Sequence, residues 1–456
     1  MSSTRGREAK PIWCVDVETW PALRDRLPPA ARAFADAAGF KPETDSHLLL
    51  PGDNGAIGGV LFSLDKPSER PRNPFLPGKL ATILPAGTWR FESLLPDPRL
   101  AALAFALGAY RFTRYRKSDP KDLLLELPAG VDGAELTRVI EAVHFVRDLV
   151  NTPSNDCGPA EIEATARVLA EKFGASVRAV VGDELLKENF PLVHAVGRAS
   201  ARAPRLIDLA WGNPKHPKVS LVGKGVVFDT GGLDIKPSAG MLLMKKDMGG
   251  AAHALGLAQM IMDAKLPVRL RVVIPAVENA ISGDAFRPGD VFASRKGVTV
   301  EIGNTDAEGR LILADALAFA DEDTPELIVD FATLTGSARV ALGPELPAMF
   351  TDDDELAGSI ARHAAAEADP SWRMPLWRPY QSMLESKIAD TNNVGTGTFA
   401  GAITAALFLA RFVERAKSWV HFDLFAWNPT TKPGRPEGGE AQTIRALHAL
   451  LCERYR

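Results

Sequence analysis

The sequence predicts an α/β protein in two parts. A smaller N-terminal α/β domain covers residues 1–132, and a larger domain over 133–456 is built on a mixed, largely parallel central sheet flanked by helices. Three observations carry this. The chain has 456 residues, more than one hydrophobic core usually organises. From residue 218 onward, β-branched runs alternate with helical stretches, the pattern of parallel strands joined by crossover helices. Between the two parts, "AGVDGAEL" (129–136) sets two glycines ahead of a long amphipathic helix.

Taken in order, "HLLLPGDNGAIGGVLFSLD" (47–65) reads as two strands around a Gly/Asn-rich turn. "KPSERPRNP" (66–74) reads as a Pro- and charge-rich loop, "LAALAFALGAYRF" (100–112) as a helix and "DLLLELP" (122–128) as a strand. "RKSDPK" (116–121) is a charged, solvated loop. The helix "AELTRVIEAVHFVRDLVN" stops at "NTPSNDCGP", whose Pro, Asn and Gly residues forbid continuation. Beyond it, "KVSLVGKG" (218–225), "LRVVIPAVE" (270–278), "VTVEIG" (298–303) and "ELIVDFATL" (326–334) read as strands. "GAAHALGLAQMIMDA" (250–264) and "LILADALAFAD" (311–321) read as helices, the second buried on nearly every side. Asp315, inside the second, is expected to pair structurally or to cap a neighbour.

Composition narrows the function. Apolar residues make up 46% and charged residues 24%, ordinary for a globular protein. A formal charge of −4 offers no electrostatic footprint for nucleic acid or an anionic membrane. No apolar run approaches the ~18 residues of a membrane span, and "MSSTRGREAKPIW" lacks the apolar core of a secretory signal. Cys14, Cys157 and Cys452 are too few and too scattered for a disulfide framework, which points to a reducing cytoplasm.

In a parallel sheet the working groups lie on loops beyond the carboxyl ends of strands. Those loops hold Lys224 and Asp229 in "GKGVVFDTGG", Lys236 in "DIKPS", Asp247 in "MKKDMGG", and Asp306, Glu308 and Arg310 in "NTDAEGR". Taken singly, Asp247 reads as a helix cap, Glu308 as a carboxylate suited to a helix dipole, and the lysines as solvated. Arg310 resists such a reading: a cation in a first helical turn opposes the dipole by about 0.3–1 kcal/mol unless an anion offsets it. Four carboxylates on one loop-rich edge would repel one another unless cations neutralised them, and dense Asp/Glu sites suit hard or borderline dications. There is no HExxH, GxSxG or GxxxxGK[ST] string to support a zincin, a serine nucleophile or a phosphate loop.

"NTDAEGRL" (304–311) resembles the signature of the leucyl (cytosol) aminopeptidase family, the dinuclear-metal peptidases. "VGKGVVFDTGG", "DIKPSAGM", "MKKDMGGAA", "DFATLTG" and "ARVALG" resemble its other blocks in order and spacing, and "RDLVNTPSNDCGP" (147–159) resembles the block opening its catalytic domain. The resemblance implies a metallo-aminopeptidase whose residues 133–456 form the catalytic domain. It assigns Lys224, Asp229, Asp247, Asp306 and Glu308 as metal ligands, with Asp229 and Glu308 bridging and Lys224 binding as a neutral amine. Lys236 and Arg310 match the catalytic positions, Arg310 holding a bicarbonate that relays protons. Met244 matches a residue lining the pocket for the first side chain, and Thr333, Leu334 and Gly336 match positions whose backbone holds the peptide.

The implied cofactors are two divalent ions per subunit, Zn²⁺ and/or Mn²⁺, with Co²⁺ or Mg²⁺ as substitutes. The implied reaction is release of Leu- or Met-like N-terminal residues, with broad tolerance, by attack of a metal-bridging hydroxide. A cytoplasmic homohexamer acting on peptides with a free N-terminus is also implied. The chain departs from the family pattern at "TNNVGTGTFAGAITAALFL" (391–409) and "RPEGGEAQTIRALHALL" (435–451), and over its first ~130 residues. A narrower dipeptidase, and a DNA-binding regulator that merely keeps the fold, are the competing readings; the acidic balance argues against the second.

Overall fold

The computed structural model describes residues 9–52, 55–68, 72–116 and 121–456. The opening residues, the hairpin tip at 53–54, residues 69–71 of the Pro-rich loop and 117–120 of the charged loop lie outside the described residues. Two compact units are present: Met1–Glu141 with Thr430–Glu437, and Ala142–Pro429 with Gly438–Arg456. The helix Gly133–Asn151 carries the chain from the first into the second.

The first unit holds a five-stranded sheet. Its strands are β1 (Lys10–Val15), β2 (His47–Pro51), β3 (Ile57–Ser63), β4 (Gly87–Phe91) and β5 (Leu123–Leu125), in the order β2-β3-β1-β4-β5. β2 and β3 form the expected antiparallel pair, with Leu48 opposite Leu61, while the other pairs are parallel. The helix Pro98–Gly108 begins where Asp97 accepts the Leu100 N–H and proline takes the first position, so two of the orphan groups of a helix start are settled at once.

The second unit is built on a nine-stranded sheet. Its members are β6 (Ser176–Val181), β7 (Arg205–Trp211), β8 (Lys218–Gly223), β9 (Gly225–Asp229) and β10 (Arg269–Asn279). After the small-sheet strands β11 (Val291–Ala293) and β12 (Thr299–Glu301) come β13 (Leu327–Ala332), β14 (Ala348–Phe350) and β15 (Trp372–Arg373). β16 (Thr391–Asn392) belongs to the small sheet, and β17 (Ser418–Asp423) completes the large one. The large sheet runs β15-β14-β17-β13-β8-β10-β7-β6, with β9 also on β10. β17, β13, β8 and β10 are mutually parallel, and antiparallel pairs appear at β7 and β14, so the sheet is mixed and largely parallel.

The strand read at "VTVEIG" exists but leaves the central sheet. β12 pairs with β11 and β16 in a separate three-stranded sheet. Apolar alternation marks a strand without naming its partner, and this one serves as a platform for the loop after it.

Helix Gly309–Asp321 is buried along nearly its whole length and packs on the sheet face bearing Val222 and Val273. Within it Asp315 accepts the N–H groups of Leu192 (2.8 Å) and Val193 (3.2 Å), capping the neighbouring helix Pro191–Gly197, and that of Arg295 (2.8 Å). Three donors reward a carboxylate that burial alone would expel.

His253, alone in the alanine-rich helix Gly249–Asp263, also has a structural task. Its Nδ1 faces the Gly249 carbonyl at 2.6 Å and its Nε2 accepts the Gln442 N–H at 2.9 Å, which fixes the neutral ring. Burial lowers its pKa to about 4, below the unfolded value of about 6.5. The unfolded chain therefore binds the extra proton. Stability from this group is complete above about pH 6.5 and is lost as pH falls through about 4, about 3 kcal/mol in all. Urea titrations at pH 7 and pH 4 should show that increment in the wild type and lack it in His253→Gln; equal pH slopes would refute the assignment.

Candidate metal centre

The chain is bent where β8 gives way to β9, and Lys224 is the residue at the bend. Its N–H pairs with the Phe331 carbonyl of β13, while its carbonyl accepts the Ala251 N–H from the neighbouring helix. This fixes the backbone and sends the side chain inward, past Gly309. A Cβ at 309 would lie 2.6 Å from Lys224 Nζ, so only glycine leaves the passage open. Lys224 Nζ then stands 2.9 Å from Asp247 Oδ2 and 2.9 Å from Glu308 Oε1, with a hydrogen bond to the Thr333 carbonyl at 3.2 Å.

A second lysine repeats the arrangement. Lys236 Nζ lies 2.8 Å from Asp229 Oδ2 and also contacts Asp306 Oδ1. Asp229 closes β9, and its other oxygen accepts the Gly231 N–H (2.9 Å) and the Asn279 amide (2.8 Å). Asp229, Asp306 and Glu308 bring one oxygen each within 4.8 Å of one another. Four short segments thus deliver four carboxylates and two lysines to one place.

The bland readings of these residues fail. Asp247 makes no cap; the Thr333 hydroxyl donates to its Oδ1 at 2.7 Å. Glu308 is the first residue of its helix start, yet its side chain takes no capping hydrogen bond. Asp247 Oδ2, Asp306 Oδ1 and Glu308 Oε1 are buried oxygens whose only partners are the ammonium groups of Lys224 and Lys236. Buried carboxylate oxygens are ordinarily satisfied. Each ammonium group is shared by two carboxylates, so the cluster, if fully ionised, carries more negative than positive charge.

The electrostatics record that deficit. Burial, with Asp229 nearby, raises Glu308 to about 8, and burial with the Asp229 charge raises Asp306 to about 6. Burial pulls both lysines down, but the carboxylates reverse it and hold Lys224 and Lys236 above their ordinary range. Against the burial that opposes it, Lys224 and Lys246 keep Asp247 ionised. The residues fit a dinuclear cation site: oxygen-rich, deficient in positive charge and holding carboxylate oxygens met only by two lysines. A neutral Lys224 amine, as the resemblance implies, requires a dication to displace its proton.

Arg310 is buried in the first turn of its helix. Its Nη1 donates to the Asn393 carbonyl at 2.8 Å, and its Nε has no partner. Burial lowers its pKa to about 10. Free donors on a buried guanidinium fit an anion.

Of the expected peptide-binding positions, Met244 begins the short turn Met244–Met248 that carries Asp247, and is half-buried. Thr333 follows β13, Leu334 rests partly on the core, and Gly336 is exposed at the start of helix Gly336–Leu342. This turn is shaped by Asp423, at the carboxyl end of β17, whose Oδ1 accepts the Leu334 (3.0 Å) and Thr335 (3.1 Å) N–H groups and whose Oδ2 accepts the Thr335 hydroxyl (2.6 Å). The Leu334 N–H is therefore committed to the fold. Sequence reasoning missed Asp423, as it missed Asn279 and Asn393. Asn393 clasps the approach to "NTDAEGR" by accepting the Gly303 (2.8 Å) and Asn304 (3.2 Å) N–H groups.

Comparison with known proteins decides the family. A model of the cytosol aminopeptidase family catalytic domain matches residues 144–448, and one of the M17 aminopeptidase N-terminal domain matches residues 11–128. The chain belongs to the cytosol aminopeptidase family. It is a peptide-bond hydrolase of the aminopeptidase class. The probable cytosol aminopeptidase of Xanthomonas campestris pv. campestris (strain B100) is 43% identical over 335 residues, spanning 72% of this chain and 67% of that one. The crystal structure of cytosol aminopeptidase from Coxiella burnetii matches this aminopeptidase with a TM-score of 0.94 at 46% identity, over 99% of both chains. The bottromycin maturation enzyme BotP in complex with Mn matches at 0.87 and 32% identity, over 98% of this chain and 100% of that one. Among the described residues of this family member, no helix is long and apolar enough to cross a membrane.

Proposed function

We propose that this aminopeptidase is metal-dependent and releases N-terminal residues, Leu- or Met-like ones preferred, from peptides with a free N-terminus. The observation that carries the reading is the set of four converging carboxylates in which the buried oxygens on Asp247, Asp306 and Glu308 have only two lysine ammonium groups as partners. Lys224, Asp229, Asp247, Asp306 and Glu308 would hold two divalent ions, Zn²⁺ and/or Mn²⁺, with Co²⁺ or Mg²⁺ able to substitute. When bound, such a pair supplies Lewis acidity and a water-derived nucleophile at neutral pH.

The chain's own residues do the rest. The substrate's free α-amine would bind at this centre, which a blocked N-terminus cannot do. Lys236, kept cationic by Asp229 and Asp306, faces the oxygen that becomes negative as the carbonyl turns tetrahedral. Arg310, with its unpartnered Nε, would seat a bicarbonate, near enough to move a proton toward the leaving amine. Met244 would line an apolar pocket with modest discrimination between similar side chains. Thr333, Leu334 and Gly336 would run alongside the peptide. We further assign catalysis to residues 133–456, and a cytoplasmic homohexamer as the working form.

The test is hydrolysis of a leucine anilide by metal-stripped protein with each of the four ions restored in turn; silence with all of them would sink the reading. Lys236→Ala should keep its metal and lose about 10²–10³ in kcat, the scale of one oxyanion donor. Unchanged turnover in that variant would remove Lys236 from the mechanism.

A further inference from the structure

Two cations beside the turn at 333–336 have no part in the reading above. Arg339 is exposed on helix Gly336–Leu342, and its guanidinium carbon lies 4.9 Å from the centre of the Phe425 ring. Lys246, next to Asp247 in the chain and buried, sets its ammonium 4.8 Å from the same ring centre. Among the described residues neither side chain has a hydrogen bond or an ion pair. Lys224 and Arg339 repel the Lys246 charge, while Asp247 and Asp423 attract it without touching it.

A cation over an aromatic face gains about 0.5–2 kcal/mol. The Lys246 stem is buried, while its ammonium, paired with no carboxylate, stays open to an incoming group. Two unpartnered cations on one ring, both close enough to repel, are the mark of a site shaped for an anion. Position says which anion. A Cβ on Gly336 would come within 3.8 Å of Arg339 Nη2, so the guanidinium overhangs the exposed glycine. A peptide whose amine faces the carboxylate cluster and whose backbone follows 333–336 leaves the turn at that point.

We propose that Arg339 and Lys246 form a carboxylate-reading site beyond the scissile bond, so that favoured substrates carry a carboxylate there: the free C-terminus of a dipeptide, or an acidic second side chain. This rests on the reading of Thr333, Leu334 and Gly336 as substrate positions. Phe425 packs against both cations, exposed Arg339 meets the carboxylate, and Lys246 adds its field. The site biases the enzyme toward short or acidic peptides without altering the chemistry at the metal centre.

The experiment compares kcat/KM on metal-loaded enzyme for two matched pairs. Leu-Gly against Leu-Gly amide reads the free C-terminus; Leu-Asp amide against Leu-Asn amide reads the acidic side chain. The wild type should favour the carboxylate member of at least one pair by about tenfold or more, the scale of a charge-assisted hydrogen bond. Whichever pair responds identifies the source. In Arg339→Gln and Lys246→Met that ratio should fall toward one, and Arg339→Lys should retain most of it. A purely structural role would slow both members of a pair alike and leave the ratio unchanged. Wild-type ratios within about twofold in both pairs, or ratios unaltered in both variants, overturn the proposal. Leucine anilide hydrolysis by the wild type reports separately on the aminopeptidase reading itself.

Discussion

Glu308→Ala is expected to abolish metal loading and turnover together while leaving the fold intact. Glu308 pairs with Lys224 at 2.9 Å and shares a 4.8 Å oxygen group with Asp229 and Asp306. Loss of a mere supporting partner of a metal ligand already costs about 10–100-fold, so loss of a ligand itself should exceed about a hundredfold in kcat/KM. The fold should survive for a specific reason. Glu308 is raised to about pKa 8 by burial and by Asp229, so without a cation the fold disfavours its ionised form. Lys224 also keeps Asp247 as a partner after the change. The thermal midpoint of metal-stripped Glu308→Ala should therefore equal or exceed that of stripped wild type. Added metal should raise the wild-type midpoint, by a stabilisation of about 2.7 kcal/mol at a hundred times Kd, and leave the variant unmoved. Metal analysis showing two ions per chain in the variant, with turnover within about tenfold of wild type, would refute the assignment.

What was legible in the sequence follows a physical division. Lys224, Asp229, Asp247, Asp306 and Glu308 could be found because each sits in a short loop whose glycines and flanking strand or helix pattern are local signals. The parallel centre of the large sheet was readable in the same way, from β8, β10 and β13. The residues that hold this site in shape were not. The Leu334–Asp423 bond spans 89 positions, the Arg310–Asn393 bond 83 and the Asn279–Asp229 bond 50. No local period encodes which asparagine or aspartate will meet which loop. Apolar alternation likewise located β12 and not its sheet, because its partners, β11 and β16, are only three and two residues long. Arg310 was the informative exception. Its clash with the helix dipole is a local property, and the structure answers it with one carbonyl and a vacant Nε.

Gly250→Ala is the substitution for which local propensity and packing predict opposite signs. Inside a helix, alanine is favoured over glycine by about 1 kcal/mol, so propensity alone predicts a gain. At this position the added methyl would stand 2.1 Å from the Phe331 carbonyl oxygen and 2.7 Å from the Lys224 nitrogen. Both atoms are backbone, and they are the two ends of a single 2.9 Å hydrogen bond that joins the bend at Lys224 to β13. Neither can rotate away as a side-chain tip would. The opposing surface is no more forgiving, since a Cβ on Gly223 would meet the Gly250 carbonyl at 2.6 Å. Overpacking of this kind costs about 1–3 kcal/mol even where side chains can yield, so with backbone on every side packing should win by about 2 kcal/mol or more. The strain also has a direction: relief requires the helix to lift from the strands or the bend to move, and the bend is the origin of the Lys224 side chain. Gly250→Ala should therefore lower the urea midpoint and weaken metal binding in the fraction that remains folded. Because Lys224 Nζ lies 2.9 Å from both Asp247 and Glu308, a small shift of its backbone separates the amine from both carboxylates. An unchanged or raised midpoint would mean that the close approach of this helix to β8 and β13 is not what sets the position of Lys224.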